Sequence, residues 1–398
     1  MFSSLRLALF LAPLSLLAPL AQAQDQPSLI GTRLPDPNGF DKLFDAVERL
    51  SKADTIPQSL KGLTPTELIA QKRNVVSRNR RSLLALREAL ALPVQHPPVR
   101  TAADDFGNYD GFRTLANILD QESSIRDLDR NWVGAMDSKL DCIELGVLMT
   151  RGGPLRAAIA GRDIEIIGRR NIDKLVARLD EKQTAAVAVR LSRIETLRPP
   201  FSDAIREGKT ASIALTRNAF DVRNWDEVIT ETFKLNGQPF TEDEQATLQN
   251  IGEADIVSAL NRAFDTAIAT ANGPYQPQTA RVEVSLDPWS ALLAGPVNSP
   301  SLRVDYEAAR AQNRLFALSM SLRLARIKTG TYPETFETLP DPFAGGAPLK
   351  YKRQGDAYLL YSLGPNTKDD GGVGIIIPEN GQIPPRSGGD LVAPVLPL

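Results

Sequence analysis

WVGAMDSKLDCIELGVLM, residues 132–149, decides the fold class. Trp132, Met136, Leu140, Ile143 and Val147 follow one another at spacings of 4, 4, 3 and 4, so all five fall on one stripe of a single α-helix. That stripe reads as a core face. Cys142 lies inside the same helix beside Ile143 and reads as a small buried apolar residue, not a reactive thiol.

The pattern continues outward from this helix. Between Asn38 and Gly273 apolar residues return every three or four positions, and some helix starts are explicit. Thr64-Pro65-Thr66-Glu67 is a capping box with Pro at the first helical position, where its missing N–H costs nothing, and Thr241 to Glu244 repeats the Thr-x-x-Glu form. Further helices are expected over 154–170, 173–180, 184–197, 201–220 and 225–235. Short links such as Arg151-Gly152-Gly153 and Arg198-Pro199-Pro200 make successive helices neighbours. The result is a mainly α chain, an array of helical hairpins that closes as a bundle or stacks as a solenoid.

Past Gly273 the composition shifts. Residues 274–304 read as a linker with one short strand, in which Val282, Val284 and Leu286 alternate with polar neighbours. A long helix is expected from Asp305 to Lys328. Leu315, Leu318, Leu322 and Ala325 form one of its apolar stripes and Phe316, Met320, Leu324 and Ile327 the next, leaving Arg314, Arg323 and Arg326 for an outer face. A β-hairpin turning at Gln354-Gly355-Asp356 follows, and the Pro- and Gly-rich segment 378–398 reads as a loosely held tail.

Composition bounds the function. The 398 residues are 42% hydrophobic and 24% charged, an ordinary globular profile. With 46 basic against 48 acidic residues the formal charge is −2, too weak a positive field to hold nucleic acid by neutralising phosphates. At the N-terminus Arg6 precedes an apolar run from Leu7 to Leu20, broken by Pro13 and Pro19 and followed by Ala21-Gln22-Ala23. This reads as a Sec signal peptide cleaved after Ala23, which sends the chain to the periplasm or beyond, with no transmembrane segment remaining. Cys142 is the only cysteine, so no intrachain disulfide can form and packing must hold the exported chain together. The organisation expected is a signal peptide (1–23), a linker (24–37), the helical array (38–273), a second linker (274–304), a helix-plus-hairpin module (305–377) and the tail (378–398).

Within that module, LFALSMSLRLARIKTGTYPETFETLPDPFAGGAPLKYKRQGDAYLLYSLGPNTKDDGG (315–372) resembles the globular head of type II secretion major pseudopilins. The resemblance is carried by a buried helix leading into Tyr332-Pro333, then Asp341-Pro342, Tyr361-Ser362-x-Gly364 and Asp369-Asp370-Gly371-Gly372. It covers about 58 residues. Together with the helical region upstream, the chain is similar to exported bacterial proteins that append such a module to a helical array. The resemblance implies a small α+β pseudopilin-like module and, in its last loop, calcium held by Asn366, Asp369 and Asp370. The alternative for that loop is a plain solvated acidic turn, since calcium needs six to eight oxygens. Filament assembly is not implied, because a Sec signal stands where a pseudopilin has its prepilin-peptidase site and assembly helix.

Catalytic signals are sparse. The single histidine, His96, sits in Gln95-His96-Pro97-Pro98 and reads as an exposed loop residue, so histidine-dependent triads and multi-histidine metal sites have little to build on. No phosphate-binding, dinucleotide or nucleophile-elbow motif occurs. Asp104, Asp105 and Asp110 in DDFGNYDGF could serve a carboxylate-only hydrolase, or simply form the turn that caps the following helix. The reading is therefore an exported, non-enzymatic binding or structural protein of the bacterial cell envelope with an envelope or secreted protein partner. Its rival is a carboxylate-dependent glycoside hydrolase acting on envelope polysaccharide.

Overall fold

A computed structural model describes residues 28–54, 63–100, 109–221, 241–277, 287–378 and 381–398. Its helices are, in chain order, α1 (Gly39–Glu48), α2 (Pro65–Arg78), α3 (Arg80–Leu90), α4 (Asp110–Leu128), α5 (Trp132–Met149), α6 (Leu155–Arg169) and α7 (Ile172–Val176). They continue as α8 (Glu181–Thr196), α9 (Phe201–Asp221), α10 (Glu242–Asn250), α11 (Glu253–Asn272), α12 (Pro288–Ala294) and α13 (Pro300–Thr329). The capping boxes at Thr64 and Thr241 are formed as the sequence implies, each hydroxyl accepting from the N–H of the glutamate three residues on. The helix expected over 225–235 and the strand at 282–286 lie outside the described residues.

α5 sits between two cores. Its Met136, Leu140, Ile143 and Val147 stripe joins a cluster with α7, α8 and α13, while Cys142, Leu145, Leu148 and Met149 on the other side join one built from α1, α3, α4 and α6. Being buried on both faces, α5 has to pair its charges: Asp141 with Arg87 at 2.9 Å and Arg190 at 2.6 Å, Glu144 with Arg190 at 3.0 Å and Arg193 at 2.6 Å. Against α6 the approach is backbone to backbone. A Cβ added at Gly146 would sit 2.5 Å from the Gly161 carbonyl oxygen, so only glycine fits.

α13 spans 30 residues, about 45 Å at the rise of an α-helix, and ends at Gly330, whose φ of +78° suits a residue without Cβ. It packs on α6 and α8 from the middle of the chain. The helix begins at Pro300, five residues before the expected start, and its first turns belong to a third core with α9, α11 and α12. The array and the C-terminal module therefore share one helix and have no clean boundary, and the expected linker 274–304 contains α12. Arg314 and Arg323 are also not on an outer face. Arg314 donates to the Pro340 carbonyl at 2.6 Å, and Arg323 donates to the carbonyls of Pro397 at 2.6 Å and Leu179 at 2.9 Å. Loop and tail carbonyls satisfy these guanidiniums where water was expected. Arg326 does lie at the surface, its guanidinium 4.9 Å from the Tyr332 ring centre.

After α13 come β1 (Lys350–Gln354), β2 (Ala357–Ser362) and β3 (Leu391–Val392), an antiparallel sheet of order β1-β2-β3. The hairpin turns at Gly355 as expected, with Gln354 opposite Ala357 and Tyr351 opposite Leu360. Leu349, Tyr358 and Leu360 bury against α13. The last residues are no loose tail. β3 pairs with β2, Tyr358 donates to the Pro394 carbonyl at 2.9 Å, and Ile383, Leu391 and Leu396 enter the core. Among the described residues no helix is long and apolar enough to cross a membrane.

Candidate functional site

The positions singled out in the sequence do not converge. Asp104 and Asp105 lie outside the described residues. Asp110 opens α4 as an exposed residue pairing with Arg113 at 3.1 Å, which is a helix-terminus role. His96 is 1% exposed, not an exposed loop residue: its ring lies 4.4 Å from Phe40 and its Nε2 3.1 Å from the Tyr109 hydroxyl. Burial brings its pKa down to about 4, so it is neutral and part of a core. Cys142 is buried as expected, with its thiol pKa pushed up by that burial.

The acidic loop of the C-terminal module is built around its own donors. Asp369 Oδ1 accepts from the Tyr361 hydroxyl at 2.9 Å and the Gly371 N–H at 3.1 Å. Asp370 Oδ2 accepts from Asn366 Nδ2 at 2.7 Å and the Gly389 N–H at 2.8 Å, and Asp390 Oδ2 from the Gly372 N–H at 2.6 Å. One oxygen each of Asp369 and Asp370 is thus committed to N–H and O–H groups, while Asp369 Oδ2 stands 3.7 Å from the Lys350 ammonium. Among the described residues no three His, Cys, Asp or Glu side chains are grouped to hold a metal. In this conformation Asn366, Asp369 and Asp370 are drawn into hydrogen bonds within the loop.

A different place gathers functional chemistry. Where α13, the α8–α9 link, the end of α11 and the 340–346 loop meet, they enclose a cleft of about 660 Å³. Its charged lining is five arginines, Arg198, Arg206, Arg303, Arg310 and Arg314, against three carboxylates, Asp203, Glu307 and Asp341. Phe201, Tyr275 and Tyr306 supply aromatic walls. Four of the charged residues, Arg303, Glu307, Arg310 and Arg314, come from α13 at spacings of 4, 3 and 4, which is one helical stripe.

The cleft floor is held by a buried charge network. Arg198 grips Glu165 with two hydrogen bonds of 2.9 and 2.7 Å and Glu195 with one of 3.0 Å, and Arg169 and Asn313 complete Glu165 at 3.0 Å each. Burial alone would raise Glu165, but Arg198 and Arg169 outweigh it and hold the carboxyl below its usual value. Tyr306 donates to the Pro199 carbonyl, and the Arg198 guanidinium stacks 5.6 Å from the Tyr306 ring centre.

Above this floor the pairing is incomplete. Asp203 accepts from Leu29 N–H and Arg206, and Asp341 from Ser362, Phe343 N–H and Leu363 N–H. Glu307 instead stands 3.7 Å from Arg303 Nε, and its Oε2 has no hydrogen-bond partner. Arg310 Nε and Arg314 Nε share a single oxygen, Glu195 Oε1, at 3.6 and 3.8 Å, beyond hydrogen-bond range. Burial raises the Glu307 carboxyl despite the nearby arginines, and burial with Arg310 alongside lowers Arg314 to about 10.

The sequence carried a signal for this site. A charged stripe with helical spacing on an otherwise apolar helix marks either a solvated face or a polar cavity, and the sequence alone places Arg314 on the former. No family model, no curated protein and no solved structure matches the chain.

Proposed function

We propose that the protein is an exported, non-enzymatic binding component of the bacterial cell envelope, and that the cleft beside α13 is where it engages its ligand or partner. One observation carries the choice of binding over hydrolysis. Glycosidic bond cleavage needs two carboxyl groups free to reach the sugar, about 5 to 9.5 Å apart. In this cleft the oxygens of Asp203 and Asp341 are fully hydrogen-bonded, and of the lining carboxylates only Glu307 keeps an unpartnered oxygen. The surplus of guanidinium donors suits recognition. Export is supported by the Leu7 to Ala23 segment, and the helix-plus-sheet end is read as a pseudopilin-head-like unit forming one wall of the cleft.

The test has two parts. Protein recovered from the cell envelope should begin at Gln24 by mass spectrometry. The purified mature chain, incubated with envelope polysaccharide, should release no reducing ends. Release that disappears in E307Q would overturn the binding reading in favour of the hydrolase.

A further inference from the structure

We propose that the cleft is an oxyanion site, binding its ligand through a carboxylate or phosphate group that Arg310 grips and Arg314 flanks. This rests on the binding reading above and adds the chemistry of the ligand.

Arg310 carries the argument. Among the described residues it has no hydrogen-bond partner, although its Nε is buried from solvent. A buried unsatisfied guanidinium N–H carries a desolvation cost that a bound acceptor would remove. Its neighbour one helical turn on, Arg314, is 4% exposed and spends one Nη on the Pro340 carbonyl. The two cations lean on one carboxylate oxygen, Glu195 Oε1, at distances too long for hydrogen bonds, and that oxygen is itself unpartnered. Glu195 is held away by Arg198, which binds its other oxygen at 3.0 Å. Two guanidiniums are therefore brought together with hydrogen-bonding capacity left over.

A carboxylate or phosphate group matches this deficit, because either presents two oxygens to the parallel N–H groups of a guanidinium at once. Glu307 extends the fit. Its Oε2 lines the same cleft without a hydrogen-bond partner, and burial shifts its carboxyl toward the protonated form, the form that donates to an oxygen rather than repelling it. At about 660 Å³ the cleft holds a small organic molecule, and Tyr306 and Phe201 offer it an apolar wall.

The experiment is calorimetric titration of the full mature chain with inorganic phosphate and separately with succinate, ionic strength being held constant with chloride. At least one anion should bind, and which one binds distinguishes a phosphate from a carboxylate source. R310M should weaken that binding about tenfold or more while still unfolding cooperatively, since what the ligand-free chain loses is a 3.6 Å charge contact with Glu195 and no hydrogen bond. R310K, which keeps the charge without the fork, should fall between, and R217M on the exposed face of α9 should match the parent. Undiminished binding by R310M or R310K overturns the proposal, as does indifference to both anions. Hydrolysis of polysaccharide, by contrast, would remove the binding reading beneath it.

Discussion

His96 shows how a single side chain can link stability to pH. It lies in an aromatic cluster with Phe40 and Tyr109, and its pKa there is about 4 against 6.5 when unfolded. Between those values the unfolded chain binds the proton and the folded chain does not, so stability falls as pH drops through that window and is fully present above it. The difference corresponds to about 3 kcal/mol for a group this buried. Urea unfolding of the parent at successive pH values should show that loss, and H96Q should flatten it. An equal slope in H96Q would assign the acid sensitivity to other groups. The sequence showed one histidine among prolines and suggested exposure, because nothing local records that α1 folds back to place Phe40 on the imidazole. Cys142 was legible for the opposite reason: its helix carries apolar residues on both sides of it. The arginine stripe of α13 could be read as a stripe but not as a cavity wall, since the α8–α9 link opposite it is about a hundred residues away in the chain.

At the scale of elements, local signals succeeded wherever the chain declares its own periodicity or caps. The α5 stripe, both capping boxes and the turn at Gly355 needed no tertiary information. The C-terminal segment failed because its order comes from partners elsewhere. Leu391 and Val392 pair with β2 and the Ala393 N–H donates to the Leu360 carbonyl at 2.9 Å, a short edge, yet Leu391 and Leu396 are buried in the core shared with α13. Proline-rich composition denies such a segment regular structure of its own without denying it burial. A chain ending at Asp390 should accordingly lose about 3 to 5 kcal/mol of stability, from two buried leucines and the exposed underside of β2. Thermal melting compares the two directly, and an unchanged midpoint would restore the loose-tail reading.

Across the whole molecule, the mainly α architecture with a small antiparallel sheet was legible, and its division into array and module was not. Three cores meet along α13 and α5, so helices that look like separate units in the sequence are parts of one packed body. Calcium is tested at this scale. An ion bound only by the native chain must raise the global midpoint. Because Asp369, Asp370 and Asp390 already accept hydrogen bonds from the loop's own donors, melting in calcium and in chelator should give the same midpoint. A rise with calcium would show that the loop rearranges around the ion.

The cluster that joins Ala135 to Leu396 also dictates timing. A ribosome delivers residues in order, and α8 leaves the exit tunnel about a hundred residues before α13, the long helix it packs against. Throughout that interval the nascent chain must carry uncovered apolar helix faces, open to chaperones and to any translocation machinery that accepts only unfolded polypeptide. Native burial of α8 therefore waits on the delivery of α13, more than on any early local event.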